Sequence, residues 1–271
     1  MRHAIAIILA LLLPSLAVAE DTRLERLESL NQGRTWEAVG RLDLQGQGYC
    51  TGALIAPDLV LTAAHCLFDR FTGERFALDR IQFLAGWRNG RAEAYRDIRR
   101  AVLLPEYDFA DSDLETRIRN DVALLELAQP IRNTRVTPFQ PAERPLRGES
   151  VGVISYAQDR SSAPSLQEVC AVLERQGGIL VLTCEVDHGA SGSPVFSLAR
   201  DGTPQIVSVV SAKAEHKGQR LALGASIDGP LQVLMQALAN GKGFEIAPPP
   251  DANRITVTGE RRDTGAKFIR P

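Results

Sequence analysis

The stretch DHGASGSPVF, Asp187 to Phe196, sets Ser191 between Gly189 and Gly192, just ahead of a proline and an apolar run. Glycine admits backbone conformations and close approaches that other residues refuse. Such a run is an ordinary turn, or it holds a hydroxyl where a carbonyl can reach it, with neighbouring N–H groups free to donate. A serine hydroxyl becomes a nucleophile when a base takes its proton. Beyond His3 the histidines are His65, His188 and His216. His65 closes the apolar run VLTAAHC beside Cys66, and Asp121 opens the apolar run of RNDVALLEL. Taken singly, a histidine in that place is a structural residue and an aspartate there is a turn or edge residue. Taken with Ser191, they supply a hydroxyl, an imidazole and a carboxylate that fixes the imidazole's tautomer, which is the equipment of acyl transfer.

The elements that must position these groups read as strands. EAVGRLDLQG, GYCTGALIAP, DLVLTAA, RIQFLAGW, IRRAVLLP and NDVALLELAQP are short apolar or alternating runs punctuated by Gly, Pro, Asn and Asp. A second series comprises SVGVISYA, QEVCAVLER, GGILVLTC, SGSPVFSL, PQIVSVVSA and LALGASI. Many short strands with frequent turn signals predict an all-β sandwich or barrel. The polar, proline-bearing stretch from Thr134 to Ser150 is the expected seam between the two series. Leu24, Leu27 and Leu30 predict a short surface helix within residues 20–33. Leu231, Leu234, Met235 and Leu238 predict a terminal helix with one apolar face. Residues 241–271 read as a Pro-containing polar tail, in which RITVTGE is a candidate edge strand.

The chain start reads as an export signal: Met1-Arg2-His3, an apolar run from Ala4 to Leu13, then Ala17-Val18-Ala19 as a cleavage pattern. An even set of cysteines in an exported chain favours disulfides. Cys50, Cys66, Cys170 and Cys184 allow three pairings. The two local ones are favoured, each closing a loop of about 15 residues worth on the order of 3 kcal/mol. No C-x-x-C occurs and the histidines are scattered, so no metal centre is expected. A formal charge of −2 over 271 residues, with 24% charged residues, gives no electrostatic footprint for nucleic acid or an anionic membrane.

CTGALIAPDLVLTAAHC, NDVALLEL and GASGSP together resemble the three signature blocks of the trypsin-like, chymotrypsin-fold serine endopeptidases. SGSP and the two-disulfide form are similar to the bacterial V8-like branch. The likeness covers roughly Trp36 to Asn240. It implies two six-stranded antiparallel β-barrels with the active site in the cleft between them, plus a C-terminal helix. The first barrel would span residues 34–140, with His65 and Asp121, and the second 141–240, with Ser191. The resemblance makes His65 the general base, Asp121 its orienting acid and Ser191 the nucleophile. Gly189 and Ser191 would offer the oxyanion N–H donors, and Ser211 would support Asp121. It also implies that Cys50 and Cys66 pin the histidine loop. The implied function is that of a secreted or periplasmic endopeptidase. It would act on polypeptides as a monomer, without cofactor, metal, nucleic-acid partner or stable membrane insertion once the signal is removed. The competing expectation is a catalytically silent binding or scaffold protein on the same fold. A Gly-x-Ser-x-Gly esterase is disfavoured because Ser193 stands where glycine is needed.

The sequence departs from the family pattern in two places. Ala190 precedes the nucleophile where trypsin carries an aspartate that pairs with a new N-terminus, and no IVGG-like start lies near Trp36. Processing is therefore expected to stop at signal removal, or to extend to loss of residues 20–33. Glu185, six residues before Ser191, matches the floor of the specificity pocket; His188, Val210 and Lys213 match its lining. Val210 stands where Glu-cleaving relatives place a histidine, so preference for Glu is not expected.

Overall fold

The computed structural model describes residues 21–245. The export-signal reading of residues 1–19 and the RITVTGE strand lie outside the described residues. Each apolar run of the first series forms one strand: β1 Val39–Asp43, β2 Tyr49–Ala56, β3 Leu59–Thr62, β4 Gln82–Ala85, β5 Ala94–Leu103 and β6 Ala123–Leu127. Antiparallel pairing runs β5-β4-β1-β2-β3-β6, and β6 returns to β5, closing a six-stranded barrel. The second series forms β7 Ser150–Ser155, β8 Ser165–Gln176, β9 Ile179–Leu182, β10 Pro194–Leu198, β11 Pro204–His216 and β12 Gln219–Ser226. Their order is β8-β9-β12-β11-β10-β7, and β7 pairs with β8 to close the second six-stranded barrel. Closure removes most of the unpaired edges that would otherwise template aggregation.

Inward residues fill each barrel. Leu42, Leu54, Leu61, Phe83, Ile98 and Leu125 are fully buried in the first. Val153, Val172, Leu180, Val195, Val207 and Ala222 form the core of the second. Where the barrels meet, Trp36, Phe139 and Phe196 pack in tilted and edge-to-face contacts with centroids 4.7–5.9 Å apart. The disulfides are Cys50–Cys66 and Cys170–Cys184, the two local pairings. No described helix is long and apolar enough to cross a membrane.

Three expectations need correction. The N-terminal leucines do not share a helix: Leu24 and Leu27 lie outside any helix, and Leu30 opens a single turn. Glu25–Arg26 pairs antiparallel with Leu166 and Ser165 of β8, and only Leu30–Gly33 is helical. β9 pairs only with Val172–Gln176, so Ser165 and Leu166 of β8 keep a second side open and offer ladder hydrogen bonds that an isolated helix of that length could not match. Leu27 is buried, whereas Leu30 is 59% exposed. The terminal helix Pro230–Ala239 is present, but its apolar face is narrower than expected: Leu234 is buried while Met235 is 42% exposed. The 241–271 segment is not tail from its first residues, since Phe244–Glu245 pairs with Ala101 and Arg100 of β5. In the seam, Gln140–Pro141 runs parallel beside β11.

Candidate active site

β3 is buried along its whole length and delivers the chain to a tight helical turn, Ala64–Leu67. His65 and Cys66 sit on this turn, and the Cys50–Cys66 bond ties it back to β2. Asp121 arrives from a short helix, Leu114–Arg119, whose first turn is capped by the Asp113 side chain. The chain turns at Asn120 and enters β6 at Ala123, leaving the Asp121 carboxyl 2% exposed beneath the His65 turn. Asp121 Oδ2 lies 2.6 Å from His65 Nδ1, and Oδ1 accepts the His65 backbone N–H at 2.8 Å. Ser211 Oγ donates to Oδ2 as well. Ser211 is the extra residue of a bulge in β11, between Val210 opposite Gly224 and Ala212 opposite Leu223. A bulge re-aims a side chain out of strand register, here across the interface to the first barrel.

A buried carboxylate that accepts several hydrogen bonds holds a neighbouring imidazole in one tautomer, with the proton on Nδ1. Burial of the ring lowers the His65 pKa. The charge and hydrogen bond of Asp121 raise it by more, against a smaller opposing push from Arg117, so the imidazole titrates above its ordinary value. Its side chain keeps 29% of its surface open to solvent.

Ser191 lies on the loop between β9 and β10. The conformation of this loop is set by its peptide planes. A trans peptide points its C=O and N–H in opposite directions. The His188 carbonyl accepts the Gln158 N–H at 2.8 Å, which turns the Gly189 N–H the other way. The Ala190 carbonyl accepts the Ser193 N–H at 3.0 Å, which likewise turns out the Ser191 N–H. Neither N–H has an acceptor among the described residues. The loop needs two glycines in the left-handed region. Gly189 has φ +94° and Gly192 has φ +78°. A Cβ on Gly192 would stand 2.2 Å from the Thr51 carbonyl oxygen, and one on Gly189 would stand 2.3 Å from the Tyr49 ring.

Two adjoining hollows meet at Ser211 and Ala212, and the smaller one borders this loop. One, of about 400 Å³, is lined by His65, Asp121, Tyr107, Phe109 and Arg117 among others. The other, of about 200 Å³, is lined by Ser191, His188, Val210, Lys213 and Asp187. The structure thus groups His65 with Asp121 and Ser211, and Ser191 with His188, Val210 and Lys213. Ser191 Oγ makes no hydrogen bond to the His65 ring among the described residues. Glu185 is exposed and outside the lining of either hollow; its N–H donates to Gln167 Oε1 at 2.7 Å. His216 lies exposed at the far end of β11. Ala190 is fully buried, with its N–H on the Asp187 carbonyl.

Sequence reasoning missed Asp187. Its carboxylate takes a hydrogen bond from Lys213 Nζ at 2.8 Å, and Nζ also lies 3.4 Å from His188 Nε2. Hydrogen bonds from Lys213 and from the His188 N–H hold the Asp187 carboxyl below its usual pKa. The only trace of this in the sequence is that Asp187 opens the glycine-rich stretch. Its partner is 26 residues away on another strand.

Comparison with known proteins agrees with this architecture. The chain is 26% identical over 157 residues to a glutamyl endopeptidase of Bacillus licheniformis, covering 58% of this chain and 48% of that protein. It is 29% identical over 103 residues to a trypsin of Phaedon cochleariae, covering 38% of this chain and 36% of that one. The chain therefore spans less than half the length of these relatives. A solved structure described as Glu endopeptidase in complex with MPD superposes with a TM-score of 0.63 at 19% identity, over 83% of this chain and 99% of that one. That likeness shows a shared fold. The family model of the trypsin-like peptidase domain matches residues 50–203, which takes in His65, Asp121 and Ser191, and by that match the chain belongs to the trypsin-like peptidase domain family.

Proposed function

We propose that the protein is an exported serine endopeptidase that hydrolyses polypeptides through Ser191, His65 and Asp121. The Ser191 hydroxyl adds to a peptide carbonyl while His65 Nε2 takes its proton. The carbonyl oxygen, now an oxyanion, is received by the outward N–H groups of Gly189 and Ser191. Collapse of this intermediate breaks the C–N bond, and His65 returns the proton to the leaving amine. Water then attacks the acyl ester with the same base, releasing the acid and restoring the hydroxyl. Ser211 steadies Asp121, and no cofactor enters any step. The division at residue 140, one barrel bringing His65 and Asp121 and the other Ser191, belongs to the same reading.

The observation that carries this reading is the buried Asp121 carboxylate. It binds His65 through Nδ1 and through the main chain, which leaves Nε2 as the ring's basic atom. Export is supported by the leader-like residues 1–19 and by two disulfides, which persist in oxidising compartments. Lys213 is committed to Asp187, so the hollow beside Ser191 presents a paired cation. This supports a preference other than for acidic side chains. A fluorophosphonate probe tests the reading. Labelling at Ser191 that disappears in His65→Ala, together with peptide cleavage lost in Ser191→Ala, is the expected result. A folded protein that neither labels nor cleaves would instead be a silent protease-fold scaffold.

A further inference from the structure

We propose that Thr51 is a positioning residue for the oxyanion-binding turn, acting through its side-chain hydroxyl on the Gly189 carbonyl; the assignment rests on the serine-endopeptidase reading. Thr51 succeeds Cys50 on β2 of the first barrel and is fully buried. Every polar group it has is engaged. Its Oγ1 donates to the Gly189 carbonyl at 2.9 Å and accepts the Tyr156 N–H at 3.1 Å. Its N–H donates to the Ser191 carbonyl at 2.8 Å, and its own carbonyl accepts the Thr62 hydroxyl at 2.8 Å. One residue of the first barrel therefore grips the loop of the second barrel on both sides of Ala190.

The Gly189–Ala190 peptide lies between the two outward N–H groups, so its tilt sets the angle at which they converge. Its N–H is held by the Asp187 carbonyl at 2.9 Å, and its C=O by the Thr51 hydroxyl. Gly189 lacks a Cβ and is free to change ψ. A glycine peptide with one end released rotates readily, and donors act on an oxyanion only when aimed at it beforehand. Because the Thr51 backbone already fixes Ser191, the hydroxyl has the separate task of fixing the peptide ahead of it.

The test compares Thr51→Val, which keeps the shape and removes the hydroxyl, with Thr51→Ser, which keeps the hydroxyl. Each is assayed on a fluorogenic peptide chosen by library cleavage, with the aldehyde of the same sequence as a mimic of the tetrahedral state. Loss of a whole oxyanion donor costs about 10²–10³ in turnover, so misaligning the pair is expected to lower kcat about 10- to 100-fold in Thr51→Val. KM should stay within about threefold, and aldehyde affinity should fall in step with kcat while affinity for the product peptide holds. Thr51→Ser should restore kcat to within about threefold of the unmodified protein. The assignment is overturned if Thr51→Val keeps its kcat. It is overturned equally if Thr51→Ser loses as much as Thr51→Val, or if aldehyde and product affinities fall together. An unmodified protein that fails to label at Ser191 would remove the endopeptidase reading itself, and the role of Thr51 with it.

Discussion

Asp121→Asn removes one charge and almost no volume, so its effect is set by the hydrogen bonds around the carboxylate. That group offers acceptors only: one oxygen to the His65 main-chain N–H, the other to Nδ1 and the Ser211 hydroxyl. An amide has one accepting end and one donating end. With its NH₂ toward the main-chain N–H, two donors would face each other across 2.8 Å. With its NH₂ toward the ring, the Ser211 hydroxyl can turn to accept, but Nδ1 must also become an acceptor. The ring proton then moves to Nε2, the atom that has to receive the proton of Ser191. This wrong tautomer costs about 10⁴ in kcat, or about 5.5 kcal/mol of barrier at 1.36 kcal/mol per decade. The substitution also withdraws the charge that raises the His65 pKa and leaves the burial that lowers it. Activity requires the unprotonated ring. The acidic limb of kcat/KM should therefore lie above the ordinary 6.5 in the unmodified protein and move to lower pH in the variant. Steady-state kinetics on a peptide from roughly pH 5 to 9 read both effects. A variant within tenfold of the parent kcat and with an unmoved acidic limb would refute the claim that Asp121 acts through the imidazole.

Asp187→Asn should release Lys213 into the hollow beside Ser191 and shift cleavage toward acidic side chains at the scissile bond. The pair is half-exposed, at 51% and 47%, so the gain should be modest, up to about fivefold in a peptide-library profile. Gly192→Ala combines a positive φ with a 2.2 Å clash against Thr51 and Thr62, and should cost roughly 2–5 kcal/mol in denaturant unfolding. A chain starting at Arg34 loses the pairing with β8 and the buried Leu27, whose side chain alone is worth about 1.5–3 kcal/mol. It should melt lower and gain no activity over one starting at Glu20. Equal melting temperatures with higher activity in the shorter chain would show that residues 20–33 restrain the enzyme.

The strands were legible because β periodicity and turn residues are local signals. LVLT, ALLEL and SVGVIS each declare a strand without reference to any partner. The groups of the site were legible as types: a serine among glycines, a histidine closing a strand, an aspartate opening one. What joined them was family resemblance, since no local pattern tells Asp121 to meet a ring 56 residues away. Contacts made across the two barrels left no trace. Thr51 reaches Gly189 over 138 residues, and nothing in CTGA marks its hydroxyl for that work. The N-terminal segment was misread for a related reason. Leucines at every third position fit a helix, but the start of β8, which captures the intervening Glu25–Arg26 as strand, is encoded more than a hundred residues later.

The two disulfides have a consequence for how the molecule is made. Cys50 joins Cys66 and Cys170 joins Cys184, spanning 16 and 14 residues. The resulting loops neither nest nor interleave. A chain delivered N-terminus first into an oxidising space can lock the earlier loop long before the later thiols arrive. Of the three possible connectivities, only this one lets each pair form from the two thiols still free at the time. Under such delivery the order of emergence itself favours the pairing observed, without reshuffling.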